Sequence, residues 1–166
     1  KHTGTYPSLA FDIDGNAYIA YYRRSGGSLR LATLDRDAGT WSKTIVDDSA
    51  DVGVYASVDV GEAAVRSGPF TQYDTTVAIA YADVTNGDVK YSRLDLDDTT
   101  ATWFTSVVDD LTYIGGIDFN LHANTQGLGL QAQIAYVDAG SGVVKYAYRA
   151  DSAWSTETIA GSGKSG

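Results

Sequence analysis

Hydrophobic and polar residues alternate along this chain in short runs, and no window repeats them at helical spacing. In Val89-Lys90-Tyr91-Ser92-Arg93-Leu94, one side takes Val89, Tyr91 and Arg93 while the other takes Lys90, Ser92 and Leu94. Such runs, rich in Val, Ile, Thr, Tyr and Trp, have the period and composition of β-strands. The pattern predicts strands over about 6–12, 16–23, 28–35 and 40–46, then 55–60, 75–83, 88–95 and 102–108, then 117–121, 130–138, 143–149 and 153–159. Gly26-Gly27, Asn86-Gly87 and Gly140-Ser141-Gly142 fall between the second and third run of each set. They supply the positive φ that tight hairpins need. The expected class is all-β, with about twelve strands.

The three sets are copies of one another. Ile19-Ala20-Tyr21, Ile79-Ala80-Tyr81 and Ile134-Ala135-Tyr136 share one motif, each followed by a glycine six residues after its tyrosine. A tryptophan then opens the last run of each set, at Trp41, Trp103 and Trp154. Ahead of the motif lie Ser8-Leu9-Ala10-Phe11-Asp12, Ser57-Val58-Asp59-Val60 and Asp118-Phe119-Asn120-Leu121. The tyrosines are spaced 60 and then 55 residues apart. Four strands recurring at such a period mark the blade of a β-propeller. The blades are expected at about residues 5–47, 55–109 and 115–160, with 161–166 a flexible Gly/Ser tail rather than a phosphate-binding loop.

These residues resemble the bacterial and archaeal repeats of the form S-L-A-x-D…G…I-x-Y-x-D…G-x-L-K-Y-A…W…V-D, relatives of sialidase-type and kelch-type propellers. Asp35-Arg36-Asp37-Ala38-Gly39-Thr40-Trp41 resembles the sialidase-type Asp box, Ser/Thr-x-Asp-x-Gly-x-x-Trp. It lacks the leading hydroxyl residue and is one residue short before the tryptophan. Asp95-Leu96-Asp97-Asp98 and Asp151-Ser152-Ala153-Trp154 depart further. The resemblance covers about residues 5–160. It implies a fold and no particular activity, since such propellers host lectins, hydrolases, adhesins and scaffolds.

Propellers close with about four to eight blades, and three fall short of a ring. The flat flanks of the first and third blades would expose rows of Val, Ile, Leu, Tyr and Trp. The partial propeller is therefore expected to be completed by another protein chain, by a second copy giving about six blades, or by neighbouring sequence. Lys1 is not a methionine and no basic-plus-apolar leader follows it, so the chain is expected to be a processed product or a fragment.

Composition narrows the chemistry. No cysteine occurs, which excludes disulfides, thiolate metal sites and a cysteine nucleophile. Lys+Arg 12 against Asp+Glu 21 gives a net charge of −9, which disfavours nucleic acid and anionic membrane surfaces. No apolar run approaches the ~18 residues of a membrane span.

Candidate sites follow from the repeats. Arg23, Asp83 and Asp138 hold the same position after the second strand, and the loops closing each blade carry Asp47, Asp109, Tyr55 and Tyr113. On one propeller face they would form a rim able to bind sugar hydroxyls or a protein partner. The alternative is that these acids bond their own turns. Asp12 and Asp14, in Asp12-Ile13-Asp14-Gly15-Asn16, resemble the opening of a calcium loop that lacks its later ligands, and Asp95 with Asp97 forms a second candidate calcium pair. The second repeat carries an insertion, Gly61 to Thr75, read as a long loop in which Arg66, Phe70 and Tyr73 contact a partner or cover their own blade. Ser8, Asp12, Ser57, Asp59, Asp118 and Asn120 would line a central channel.

Catalysis is not expected. Glu62 and Glu157 are the only glutamates, the arginines scatter over different repeat positions, and His2 and His122 match no triad. The expected function is that of a secreted, extracellular, non-catalytic module, a scaffold or filament-associated subunit ahead of a propeller lectin. The competing expectation is a fragment of a sialidase-like glycoside hydrolase with its catalytic blades elsewhere.

Overall fold

The computed structural model describes residues 4–67, 70–123, 129–150 and 153–160. Twelve strands form three four-stranded antiparallel sheets, with no helix among the described residues. Sheet 1 holds β1 (Thr5–Phe11), β2 (Ala17–Arg23), β3 (Ser28–Asp35) and β4 (Thr40–Asp47). Sheet 2 holds β5 (Val52–Ser67), β6 (Phe70–Asp83), β7 (Asp88–Asp95) and β8 (Phe104–Asp110). Sheet 3 holds β9 (Ile114–Ala123), β10 (Leu130–Asp138), β11 (Val143–Ala150) and β12 (Ala153–Ala160). Each is a meander in which consecutive strands pair. The expected tail at 161–166 lies outside the described residues.

The insertion at Gly61 to Thr75 is not a loop. Its two halves extend β5 and β6 into a long antiparallel arm, paired from Gly61 with Thr76 through to Ser67 with Phe70. The β-branched and alternating residues on both sides continue the ladder instead of leaving it. Tyr73 stands exposed on this arm, while the side chains of Arg66 and Phe70 lie outside the described residues.

Packing between sheets follows from the Ile-Ala-Tyr motif, because neighbours along a strand point to opposite faces. In β6, Val77, Ile79 and Tyr81 enter a core shared with Tyr18, Ala20, Leu29 and Leu31 of sheet 1. Ala78 and Ala80 enter a second core with Phe119, Leu121, Ile134 and Tyr136 of sheet 3. Sheet 2 is thus a slab buried on both faces, with β5 lying against β1 and β2 on one side and β9 on the other. Burial of each large side chain contributes roughly 1.5–3 kcal/mol. In the second core Tyr91 meets Phe119 and Trp154 edge-on, at 5.8 and 5.2 Å between centroids, geometry favoured by ring quadrupoles. The three sheets do not close on themselves.

The turn after β6 shows how tightly loops are held between sheets. Gly87 has φ of 84° and its carbonyl accepts from Leu111 N–H, so a Cβ there would sit 1.9 Å from the Leu111 carbonyl oxygen. Gly39 has φ of 63° with nothing within 4 Å of such a Cβ. Gly39→Ala is therefore expected to cost only the backbone strain, about 1 kcal/mol, and Gly87→Ala at least twice as much. Urea unfolding of the two variants checks the order, and equal costs would refute it.

Candidate functional site

Two repeated contacts join the sheets, and both use acids that the sequence placed on a rim. Each of the three outermost strand pairs shifts register near its end: Leu29 pairs with Asp47 but Arg30 with Ile45, Val89 with Asp109 but Lys90 with Val107, and Val144 with Ala160 but Lys145 with Thr158. This extra residue, a bulge, turns the final side chain toward the next sheet. The Asp47 carboxylate accepts from Tyr81 Oη at 2.7 Å and Lys90 Nζ at 2.6 Å, both in sheet 2, and from Ser49 beside it. Asp109 accepts from Tyr136 Oη at 2.6 Å and is paired with Lys145, both in sheet 3. Asp47 and Asp109 are therefore seals between sheets, not free rim carboxylates. At the third equivalent position stands Ala160.

Electrostatics at the first seal are those of a buried ion pair. Lys90 and Asp47 are both under 10% exposed, and Asp83 lies 3.8 Å from the same ammonium. Burial raises the Asp47 pKa, but the bonds from Lys90, Ser49 and Tyr81 outweigh it and hold the carboxyl at about 2. Burial and the adjoining Asp47 carboxylate push the Tyr81 hydroxyl far above the ordinary tyrosine value. The second seal is more open, with Lys145 and Asp109 side chains 17% and 18% exposed.

The remaining rim residues separate. Asp83 is buried and closes its own turn, accepting from Thr85 N–H, Asn86 N–H and Asn86 Nδ2. Asp138 does the same with Gly140 N–H, Ser141 N–H and Ser141 Oγ. Arg23 is exposed at the end of β2. Asp138 and Tyr113 do come together, lining an open cleft of about 450 Å³ with Asp110, Gly140 and Ser141. Burial and the neighbouring Asp110 and Asp83 raise the pKa of Asp88. Tyr55 has φ of 55° and packs edge-on against Tyr6, whose φ is 54°, at 5.0 Å. Both tyrosines sit in register shifts of the first strands of their sheets. A positive φ at a bulky residue is strained, and nothing in the sequence marks it.

Asp12 accepts from Asn16 N–H, Asn16 Nδ2 and Tyr18 Oη. Burial raises its pKa, but these bonds lower it by more. The Asp14 carbonyl oxygen accepts from Arg36. Asp97 accepts from Thr75 N–H, and Asp95 from Asp97 N–H. Among the described residues no three or more His, Asp or Glu side chains converge as metal ligands.

The largest feature is the contrast between inner and outer faces. Ile79, Ile134, Tyr81 and Tyr136 are buried, whereas Ile19 and Tyr21, at the same positions on the outer face of sheet 1, are only half-buried. There Trp41 is 50% exposed, and with Ile19, Tyr21, Ala32 and Lys43 it lines an open depression. On the outer face of sheet 3, Ile159 is 61% exposed, against 8% for Val46 and 7% for Val108 at the same position. Asp118, Ala135, Val137 and Val144 line a hollow there. The sequence signal for this contrast, as for the seals, is visible only when the three repeats are overlaid. No protein-family model matches the chain, and no curated protein matches it.

The seals predict unequal costs and a pH signature. Asp47→Ala leaves Lys90 buried against one distant carboxylate and is expected to cost about 3–5 kcal/mol. Asp109→Ala, at the more open seal, should cost clearly less. Because the folded pKa of Asp47 lies below its ordinary value of 3.8, its contribution of about 2 kcal/mol is complete above that value. It is lost as pH falls toward 2. Denaturant unfolding between pH 6 and 2 should show this loss in the wild type, and Asp47→Asn should lack that increment of pH dependence.

Proposed function

We propose that the three sheets are blades of an incomplete β-propeller, and that the chain is a non-catalytic, extracellular binding or scaffold subunit joined to other protein through its two outer faces. One observation carries this reading: large residues of the repeat that are buried at the internal junctions stand open on the outer faces, as Val46 and Val108 against Ile159 illustrate. On the outer face of sheet 1, Leu9, Phe11, Trp41 and Ile45 are exposed together, and monomeric soluble proteins rarely leave such an apolar face bare. The outer face of sheet 3 is mixed, with Val144, Tyr148 and Ile159 exposed among Asp118, Gln133 and Glu157, and we read both as surfaces for protein.

The disposition of the acids agrees with a structural role. Asp47, Asp83, Asp109 and Asp138 all accept bonds within the fold. A glycoside hydrolase needs two carboxyl groups facing one another across a substrate, roughly 5–10 Å apart. The rim acids are bonded into turns and seals instead. A secreted location fits the acidic, cysteine-free composition.

A panel of fluorogenic glycosides together with a glycan array tests the reading. No turnover and no saturable glycan retention are expected. Turnover would place an active site within this chain, and retention abolished by Tyr113→Ala would favour the lectin; either result overturns the proposal.

A further inference from the structure

We propose that the partner is a second copy of this chain, joined head to tail, with the outer face of sheet 1 of each chain against the outer face of sheet 3 of the other. The inference rests on the propeller reading above. Two chains of three blades make six, within the four to eight that close a ring, whereas three chains would make nine.

Polarity comes first. At both internal junctions the face carrying the motif Ile and Tyr meets the opposite face of the preceding sheet. The two outer faces comprise one of each kind. They can repeat the internal junction only by meeting one another, so the contact is heterologous, and it closes when each chain offers both faces.

Charge agrees with that pairing. The strand alternation turns Arg30 and Lys43 to the outer face of sheet 1, where their cross-strand partners are Tyr21, Ile45 and Ala32. It turns Asp118 and Glu157 to the outer face of sheet 3, while Lys145 of that sheet points to sheet 2. A basic face thus matches an acidic one.

Individual contacts transfer position by position. Trp154 Nε1 donates to Ser106 Oγ across the second internal junction at 3.2 Å. The same positions on the outer faces are Trp41 and Glu157, so Glu157 comes opposite the Trp41 indole, with Lys43 two residues along the same face. Ser8 Oγ accepts from Val58 N–H, and Ser57 Oγ from Phe119 N–H. The next pair in that series is Asp118 and the amide of Leu9. Ala160 replaces the sealing aspartate, so this junction forgoes the Tyr–carboxylate–cation seal and is weaker than the internal ones.

Light scattering of the wild-type chain at tens of micromolar should give twice the 17.6 kDa of one chain. Lys43→Glu and Glu157→Lys each place like charges at both junctions and should weaken the dimer at least tenfold. Both residues are exposed, so circular dichroism of the variants should match the wild type. Mixed in equal amounts, the two variants should recover a dimer, because each mixed ring has one native and one swapped junction, both of opposite sign. Native mass spectrometry reads the mixed species. A monomeric wild type, whether its faces are filled by another protein or by further blades of a longer chain, overturns the inference, as does a dimer whose variants fail to complement. Neither result bears on the glycoside and glycan assays, which test the functional reading separately.

Discussion

The structure depends on the fact that its central sheet is apolar on both sides. An ordinary antiparallel sheet packs one face and wets the other, and its strands alternate accordingly. In β6 the alternation is between two kinds of apolar residue, large toward sheet 1 and small toward sheet 3. Ile79 and Tyr81 fill the space toward sheet 1, and Ala78 and Ala80 allow sheet 3 to approach closely. A sheet built this way has no solvent face and needs a neighbour on each side. Sheet 2 has both, and Tyr81, Ile79 and Ala80 reach zero exposure.

Polar seals set the geometry that apolar contact alone leaves free. Hydrophobic packing is non-directional, so sheets could slide across one another at little cost. The Asp47 carboxylate removes that freedom by accepting from a phenol and an ammonium that project from adjacent strands of the next sheet. Taking Lys90 and Asp47 out of water costs much of what their attraction returns. Their effect is therefore to select one register and one order of sheets, more than to add stability. Ser8 and Ser57 act similarly on the innermost strands, each capping a backbone N–H of the following sheet that lies on a strand edge.

The architecture was legible because period-two alternation and a repeated motif are both written directly in the sequence. Strand ends and site geometry were not, for identifiable reasons. The insertion in sheet 2 contains Gly68-Pro69 and charged residues, signals of a loop, yet its flanks pair as an extended ladder. Asp47 and Asp109 follow the last apolar residues of their strands and read as loop acids. A bulge at Val46 and Val108 shifts the phase by one residue and points them between sheets. A count that assumes strict alternation cannot see such a shift. The strained tyrosines at 6 and 55 illustrate the same limit, since positive φ is signalled by glycine or asparagine and not by an aromatic ring.

The two internal junctions and the proposed external one form a graded series. Between sheets 1 and 2 the seal is buried, with two carboxylates around one ammonium. Between sheets 2 and 3 it is one carboxylate and one ammonium, partly open to water. At the outer faces Tyr21 and Arg30 occupy the donor positions, but Ala160 leaves the acceptor position empty of charge. The two internal junctions are formed within one chain, where the loop between sheets sets a high effective concentration. An external junction has no such advantage and also bears the loss of translational and rotational freedom. A contact that lacks the seal and carries that entropic cost is the one that opens first. The proposed association is thereby separable from the fold: the sheets would stay together under conditions in which paired outer faces part.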